Sequence, residues 1–316
     1  MISMIIVDYK TIPKTLQYMR ECYKSIIDMK QIHIIVIDNA EDPDVGLRLI
    51  QTDCAGQIRS IQVESIPMKI YQCMLENITF LYICAKENLG YAKGNNLGAF
   101  IAKNYYGDSY YLFSNNDLSF PKSFSIEQLL KPMKKNESIG AVGPRIIDGN
   151  GNVQSPRKKI GAWKQLFLTY YDLLLPKTIK FTDKITDVDN HNCSQPCYWV
   201  TGSFIMVDAT KFHEIQGFDE HTFLYCEEII LAERLQKKEY YMYYENDVSI
   251  LHQHGQTVQS TFSAIQGIHI SFQSMLYFYR TYRKLNRMIV ILAQINYLLF
   301  ALLFMLKKQV GQWLSK

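Results

Sequence analysis

Two β-branched runs at the start of the chain, separated by one amphipathic segment, restrict the fold more than any other feature. Ser3–Val7 (SMIIV) and Ile32–Ile37 (IHIIVI) are apolar without alternation, as expected of strands buried on both faces. Between them Pro13 opens a helical pattern with Leu16, Met19, Tyr23, Ile26 and Ile27 on one side. Such a strand–helix–strand unit closes by a right-handed crossover into a parallel sheet covered by helices. Phe80–Cys84 and Tyr110–Phe113 read as third and fourth strands around a helix at Tyr91–Lys103, and 40–78 as a helix plus a lengthy connection. Gly140–Ile147 reads as a fifth strand running into an Asp148-Gly149-Asn150-Gly151 hairpin turn. Beyond it come a strand at Tyr198–Val207, a helix at Glu227–Lys238 and one or two strands within Tyr240–His252. Gly161–Asn192 carries the weakest pattern and reads as an excursion over a cleft. The expected class is α/β, with a mostly parallel central sheet flanked by helices and a C-terminal helical tail.

At 316 residues the chain holds two domains, or one large α/β domain with an appendage, and its 48% hydrophobic content excludes a disordered polymer. Lys and Arg number 34 against 30 Asp and Glu, a net +4 with no dense basic block, so nucleic acid is not an expected partner. The seven Cys are scattered, and the single close pair, Cys193 and Cys197, has no second pair to complete a zinc site. They read as reduced thiols in the cytosol. No signal peptide is recognisable, because Met1–Tyr9 enters the first apolar run directly.

In an open parallel sheet, ligands bind beyond the carboxyl ends of the strands. Polar groups recur there: Asp8 after the first strand, Asp38 after the second, and Asn115-Asn116-Asp117 after the fourth. Any one of them is an ordinary turn or cap residue; their recurrence at equivalent ends points to a ligand. Between the third strand and its helix lies Asn88-Leu89-Gly90-Tyr91-Ala92-Lys93-Gly94-Asn95-Asn96. Its glycines admit close approach of a ligand to the backbone, and the following helix N-terminus favours phosphate. The spacing fits neither a Walker loop nor a dinucleotide fingerprint, which removes the kinase and dehydrogenase readings.

Taken together, Asp38-Asn39, NLGYAKGNN, SNND, Val200-Thr201-Gly202-Ser203-Phe204 and Gly217-Phe218-Asp219-Glu220 resemble glycosyltransferase family 2, in particular its rhamnosyltransferase-like branch of bacterial surface-polysaccharide synthesis. The resemblance covers about residues 3–255. It implies a GT-A fold over 1–258, with a Rossmann-like nucleotide half (1–118), an acceptor half (119–258) and a separate tail (259–316). Carried over by motif, Asp8 and Asp38 would sit on the nucleotide side, Asp38 at the base or ribose, with Asn88, Gly90, Asn95, Asn115 and Asn116. Asp117 would be the direct ligand of Mg2+ or Mn2+ on the diphosphate, assisted by His252 of the late histidine region, where His254 fits the register less well. Hard oxygen ligands suit such a cation, and phosphates and water commonly complete its shell.

The segment GFDEHTFLYCEEIILAER resembles the family's acidic base motif, which places the catalytic base on Glu228. A carboxylate within hydrogen-bond reach of an acceptor hydroxyl takes its proton as the hydroxyl attacks. Without the motif, Glu227-Glu228 reads as an acidic first helical turn. Two departures stand out: Glu replaces the usual Asp at 228, and Ile230 replaces a further Asp. Asp219, Glu227, Gly202 and Trp199 are the acceptor-side expectations. Lys10 and Ala40 depart from the residues the family often carries, which leaves the nucleotide base open.

From Phe262 a helical pattern runs nearly to the end, and Ile289–Leu306 contains no charge. Arg280, Arg283, Lys284 and Arg287 precede this run and Lys307-Lys308 follow it. It is short for a bilayer span and fits a helix lying in the membrane plane, or one packed on the body or in a homodimer. The expected protein is a metal-dependent inverting glycosyltransferase. It takes a UDP- or dTDP-sugar donor to a glycan or lipid-linked acceptor, and works in the cytoplasm, peripheral at the inner face of the cell membrane. The alternatives are a catalytically weak or silent nucleotide-sugar-binding scaffold, suggested by positions 228 and 230, and a nucleotidyltransferase, which lacks a Gly-rich signature after the first strand.

Overall fold

The computed structural model describes residues 1–26, 32–54, 57–63, 66–122, 124–175, 192–252 and 263–314. His254 and Ile27 lie outside the described residues. The opening reads as expected: β1 (Ile2–Asp8), α1 (Ile12–Ser25) and β2 (Ile32–Asp38), with the strands parallel and Asp8 level with Asp38. After α2 (Pro43–Asp53) the chain forms an antiparallel hairpin, β3 (Ile58–Val63) and β4 (Ile66–Leu75), instead of the lengthy connection expected over 40–78. Its strands sit at the sheet edge, where β3 is largely exposed, so the alternating apolar signal is weak. β5 (Ile78–Cys84), α3 (Gly90–Ile101) and β6 (Tyr110–Ser114) follow.

β7 (Leu118–Ser119) precedes α4 (Ile126–Lys135), capped by the Ser125 side chain and burying Ile126, Leu129, Leu130 and Met133. β8 (Ile139–Asp148) turns at Gly151 through a bond from Gly151 N to Asp148 O and returns as a single bridge, Ile147 to Val153. α5 (Ala162–Phe167) and a 3-10 turn (Thr169–Leu173) follow. Of the expected strand at 198–207 only the second half forms, as β10 (Phe204–Asp208); β9 (Gln195–Cys197) precedes it, and several of the residues between them line the site. α6 (Ala209–Glu214), α7 (Glu227–Gln236) and β11 (Tyr241–His252) complete the body.

The 11-stranded sheet runs β3-β4-β5-β2-β1-β6-β10-β8-β11-β7, with β9 on β11. β5, β2, β1 and β6 form the parallel centre; β10 is antiparallel to both its neighbours, and β8 pairs parallel with β11. Alternate residues serve opposite cores. Met4, Ile6, Ile34 and Val36 face the helices of one layer, while Ile5, Ile35 and Ile37 face the other. That two-sided burial explains the unbroken apolar runs.

The tail is two helices, α8 (Ala264–Thr281) and α9 (Arg287–Leu314), broken near Arg283-Lys284. They pack on α5, the 3-10 turn and α7 through a third core containing Leu166, Tyr170, Ile230, Phe272, Phe278, Tyr297 and Phe300. Ile230, in the position where the family motif has an acidic residue, is fully buried there. The substitution follows from the tail, because a carboxylate at that position would be buried among aromatics.

Candidate active site

β1 delivers Asp8, but its carboxylate turns inward. Its oxygens accept from Thr11 N (2.9 Å), Thr11 Oγ1 (2.7 Å) and Thr15 Oγ1 (2.6 Å) at the start of α1. Burial raises its pKa against these donors. Asn116 Nδ2 in turn donates to Thr15 Oγ1 at 2.7 Å and lies 3.2 Å from Asp8 Oδ2. Asp8 therefore does not line the cavity, contrary to the nucleotide contact expected of it; it fixes the loop that carries Asn116 and Asp117. Asp38 is also fully buried and off the cavity. Its carboxylate accepts from Tyr82 OH (2.6 Å) and Ala40 N (2.9 Å), with its pKa raised by burial. The next residue, Asn39, points the other way and lines the cavity, as strand alternation requires. Its Nδ2 donates to Gly90 O (3.0 Å), and its Oδ1 is buried without a partner.

The glycines are expected to admit a ligand to the backbone, but the space a Cβ would take is filled by Phe223 at Gly90 and by Val7 at Gly94. Asn88 Oδ1 accepts from Gly90 N at 3.1 Å, and Asn95 Nδ2 donates to Tyr91 O at 3.0 Å. Gly90 has φ +71°, and a Cβ there would lie 2.3 Å from Phe223 O, so the position excludes other residues. Asn115 N donates to Ser203 O (2.8 Å), which ties the SNND loop to the turn before β10.

Asp117 Oδ1 faces His252 Nε2 at 3.2 Å. The other ring nitrogen, Nδ1, is 2.9 Å from the Gln154 side-chain oxygen, which sets the proton on Nδ1 and turns Nε2 toward the carboxylate. Burial pushes the Asp117 pKa up, but His252 outweighs it and holds the group below its ordinary value. Among the described residues no group of three or more His, Cys, Asp or Glu converges. A carboxylate and an imidazole nitrogen on neighbouring strand ends nonetheless fit a divalent cation that takes its remaining ligands from a diphosphate and water.

Opposite lies the start of α7. Tyr225 and Cys226 both have φ +71°, a conformation that non-glycine residues adopt at a cost, and this aims Glu227 and Glu228 into the cavity. Glu228 Oε1 accepts from Gly202 N at 2.9 Å, and Gly202 O accepts from Tyr91 OH at 2.6 Å. A side chain at 202 would lie 2.8 Å from Glu228 Cγ, so only glycine lets the Glu228 side chain seat itself. Burial raises the Glu228 pKa; the Gly202 amide and the charge of Arg157 offset part of that rise. Glu227 is pushed further up, by burial and then by Glu228 beside it.

One cavity of about 620 Å³ brings together Asn88, Gly90, Asn95, Asn115, Asn116, Asp117 and His252 with Trp199, Gly202, Glu227 and Glu228. Asp219 is not among its lining residues, against the acceptor-side expectation. Its buried carboxylate pairs with Arg234 (3.0 Å) and accepts from Tyr282 OH (2.5 Å) and Tyr277 OH (2.9 Å). Asp219 thus clamps α8 to α7. The sequence reading missed Asn39, Gln165, Thr201, Ser203 and the α8 residues Ser271, Met275, Phe278 and Tyr279, all of which line the cavity. Asn39, Thr201 and Ser203 lay inside the quoted motifs and needed only a strand-face assignment; the others had no local signal.

A model described as glycosyl transferase family 2 matches residues 3–200. N-acetylglucosaminyl-diphospho-decaprenol L-rhamnosyltransferase of Mycobacterium tuberculosis, in strains CDC 1551 / Oshkosh and H37Rv, is 27% identical over 150 residues, 46% of this chain and 47% of the relative. The chain thus spans about half the length of the curated relatives it matches. The crystal structure of GalNAc-T7 with UDP, GalNAc and Mn2+ superposes with a TM-score of 0.58 at 12% identity, covering 88% of this chain and 47% of that one. The fold is GT-A, a central sheet flanked by helices, and the chain belongs to glycosyl transferase family 2.

Proposed function

We propose that the protein is a metal-dependent inverting glycosyltransferase. It would move a hexosyl group, with rhamnose the first candidate, from a UDP- or dTDP-sugar to a glycan or lipid-linked acceptor of a bacterial surface polysaccharide. The observation that carries this reading is the presence of Asp117 and Glu228 on the walls of one cavity, Asp117 from the loop after β6 and Glu228 from the first turn of α7. The relatives support it in kind: one bears the name of a rhamnosyltransferase with a polyprenyl diphosphate acceptor, and GalNAc-T7 was crystallised with UDP and Mn2+.

Asp117 and His252 would hold Mg2+ or Mn2+, which neutralises the charge that grows on a departing nucleoside diphosphate. Asn88, Asn95 and the Gly90 backbone would receive the nucleotide, with Asn39 in the place first given to Asp38. Glu228, held by Gly202 N, takes the proton of the acceptor hydroxyl as that oxygen attacks the anomeric carbon. Attack from the face opposite the diphosphate inverts the anomeric centre and needs no covalent intermediate.

α9 carries the membrane side of the proposal. Within Arg287–Gln309 an 18-residue stretch reaches a mean hydropathy of 2.4, and only 17% of that stretch is buried. Val290, Ala293, Tyr297 and Phe300 pack inward, while Met288 (68% exposed), Leu298 (66%) and Leu302 (51%) face out. A helix apolar all round and covered on one side fits a bilayer surface, and the basic residues at both ends suit anionic headgroups. This would place the enzyme at the inner face of the cell membrane.

A donor screen tests the reading. UDP-, GDP- and dTDP-sugars are compared by thermal stabilisation with and without Mn2+, since a ligand of the native state raises the melting point. Nucleoside diphosphate and an inverted product from one donor would bear the reading out. Release of pyrophosphate would show a nucleotidyltransferase. Metal-dependent nucleotide binding with no transfer or hydrolysis would show a scaffold.

A further inference from the structure

Two features of the cavity are not used by the donor or by the base. First, the wall beside Glu228 is apolar and is built in large part by the tail. Met275 and Phe278 of α8 face it together with Leu224, Ile229 and Ile160. The family model matches residues 3–200, so of these only Ile160 lies in the matched region. Second, three hydrogen-bond acceptors of residues lining the same cavity are buried without partners: Gln165 Oε1 on α5, Thr201 Oγ1 in the turn before β10, and Glu227 Oε1 at the head of α7. Buried polar atoms normally find a partner, and three orphans from three separate elements, all in one cavity, mark where a ligand supplies donors.

We propose that α5 and α8 form an acceptor subsite that reads a sugar and its apolar aglycone together, with sugar hydroxyls donating to Gln165, Thr201 and Glu227 and the aglycone lying on Met275, Phe278 and Ile229. The proposal rests on the glycosyltransferase reading above and narrows its acceptor to the lipid-linked class. A free hydrophilic glycan would leave the apolar wall wet. A plain hydrocarbon would leave the three acceptors unsatisfied, and an unpaired buried polar group is costly. Only a ligand with both parts satisfies the wall. Gln165 and Thr201 are specificity residues in this scheme and take no part in proton transfer.

Two probes that need no turnover test the subsite: octyl β-glucoside, kept below its micelle-forming concentration, and methyl β-glucoside. Both are titrated calorimetrically into the full chain saturated with Mn2+ and whichever nucleotide the donor screen selects. Octyl glucoside is expected to bind at least tenfold more tightly than methyl glucoside. Gln165→Leu and Thr201→Val are each expected to weaken octyl glucoside roughly fivefold, the loss of one hydrogen bond of about 1 kcal/mol. Detergent adsorbed to the exposed face of α9 would respond in the opposite sense or not at all, since both substitutions make the protein more apolar. Equal binding of the two glucosides, or unchanged octyl glucoside binding in both variants while the nucleotide still stabilises them, overturns the subsite and leaves the glycosyltransferase reading standing. Failure of every nucleotide to bind removes that reading, and the subsite with it.

Discussion

Glu228 and Asp117 divide the proposed chemistry between them, and each makes a distinct prediction. Glu228→Gln keeps the hydrogen bond from Gly202 N but cannot take a proton, so transfer should fall ~10²-fold or more while nucleotide binding stays near its original strength. Steady-state kinetics set beside calorimetry checks this; near-normal turnover would remove Glu228 from the base role. Asp117→Ala should cost the nucleotide its metal-dependent affinity, read as loss of the extra thermal stabilisation that Mn2+ gives. Asp219 predicts a pH effect on stability. Burial alone would raise its pKa, but donation from Tyr282 and His221 outweighs this and leaves the folded-state value below the ordinary 3.8. The unfolded chain therefore binds this proton first as pH falls. The contribution is complete above about pH 4 and is lost on further acidification. Asp219→Asn should lower stability by ~2 kcal/mol at pH 7 and flatten the acid limb of the melting profile below pH 4. A mutant curve parallel to the original across pH 3–7 would contradict the clamp.

At the level of elements, the tail is tied to α7 by two polar links as well as by its core. Asp219 joins Arg234 of α7 to Tyr277 and Tyr282, and Glu233 of α7 pairs with Arg283 in the break between α8 and α9, beside Tyr198. Ile230 lies between these links, buried on the aromatic cluster. Ile230→Asp, which restores the acidic residue of the family motif, should destabilise the protein by about 3–5 kcal/mol, because the new charge has no buried partner. Thermal melting together with limited proteolysis of the tail measures this. Retention of full stability would mean that α8 is not held as described. The hairpin β3–β4 and helix α4 teach a related lesson. Leu129 and Met133 of α4 follow a capping serine and fit a helical face, so this helix was legible but unread. β3, exposed on an edge, offered no comparable pattern.

For the molecule as a whole, the outer face of α9 exposes Met288, Ile291, Leu292, Ile295, Leu298 and Leu302, and the occupant of that face decides where the protein sits. Leu298→Ser with Leu302→Ser should abolish co-sedimentation with vesicles of anionic phospholipid, leaving the melting point within about 2 °C because both side chains are exposed. Unchanged vesicle binding, or a dimer in solution that the double substitution dissociates, would assign the face to a second copy of the chain.

The chain's local chemistry fixed the sheet centre and many of the polar residues that line the cavity. β1, β2, β5 and β6 announce themselves as continuous apolar runs, because burial on both faces leaves no polar position along the strand. Asn88, Gly90, Asn95 and Asn115–Asp117 follow those strands in an order that few other folds share. The tertiary structure alone decided the direction in which each polar side chain points. Asp8, Asp38 and Asp219 carry the same carboxylate as Asp117, yet they turn into helix starts, a tyrosine and a clamp, since nearby donors stabilise them better than an open cavity would. It also decided what lines the cavity together with Glu227 and Glu228. Helix α8 joins the cavity across 40 or more residues of intervening chain from Glu227 and Glu228, and no short-range periodicity encodes a contact between segments that meet only when the core forms.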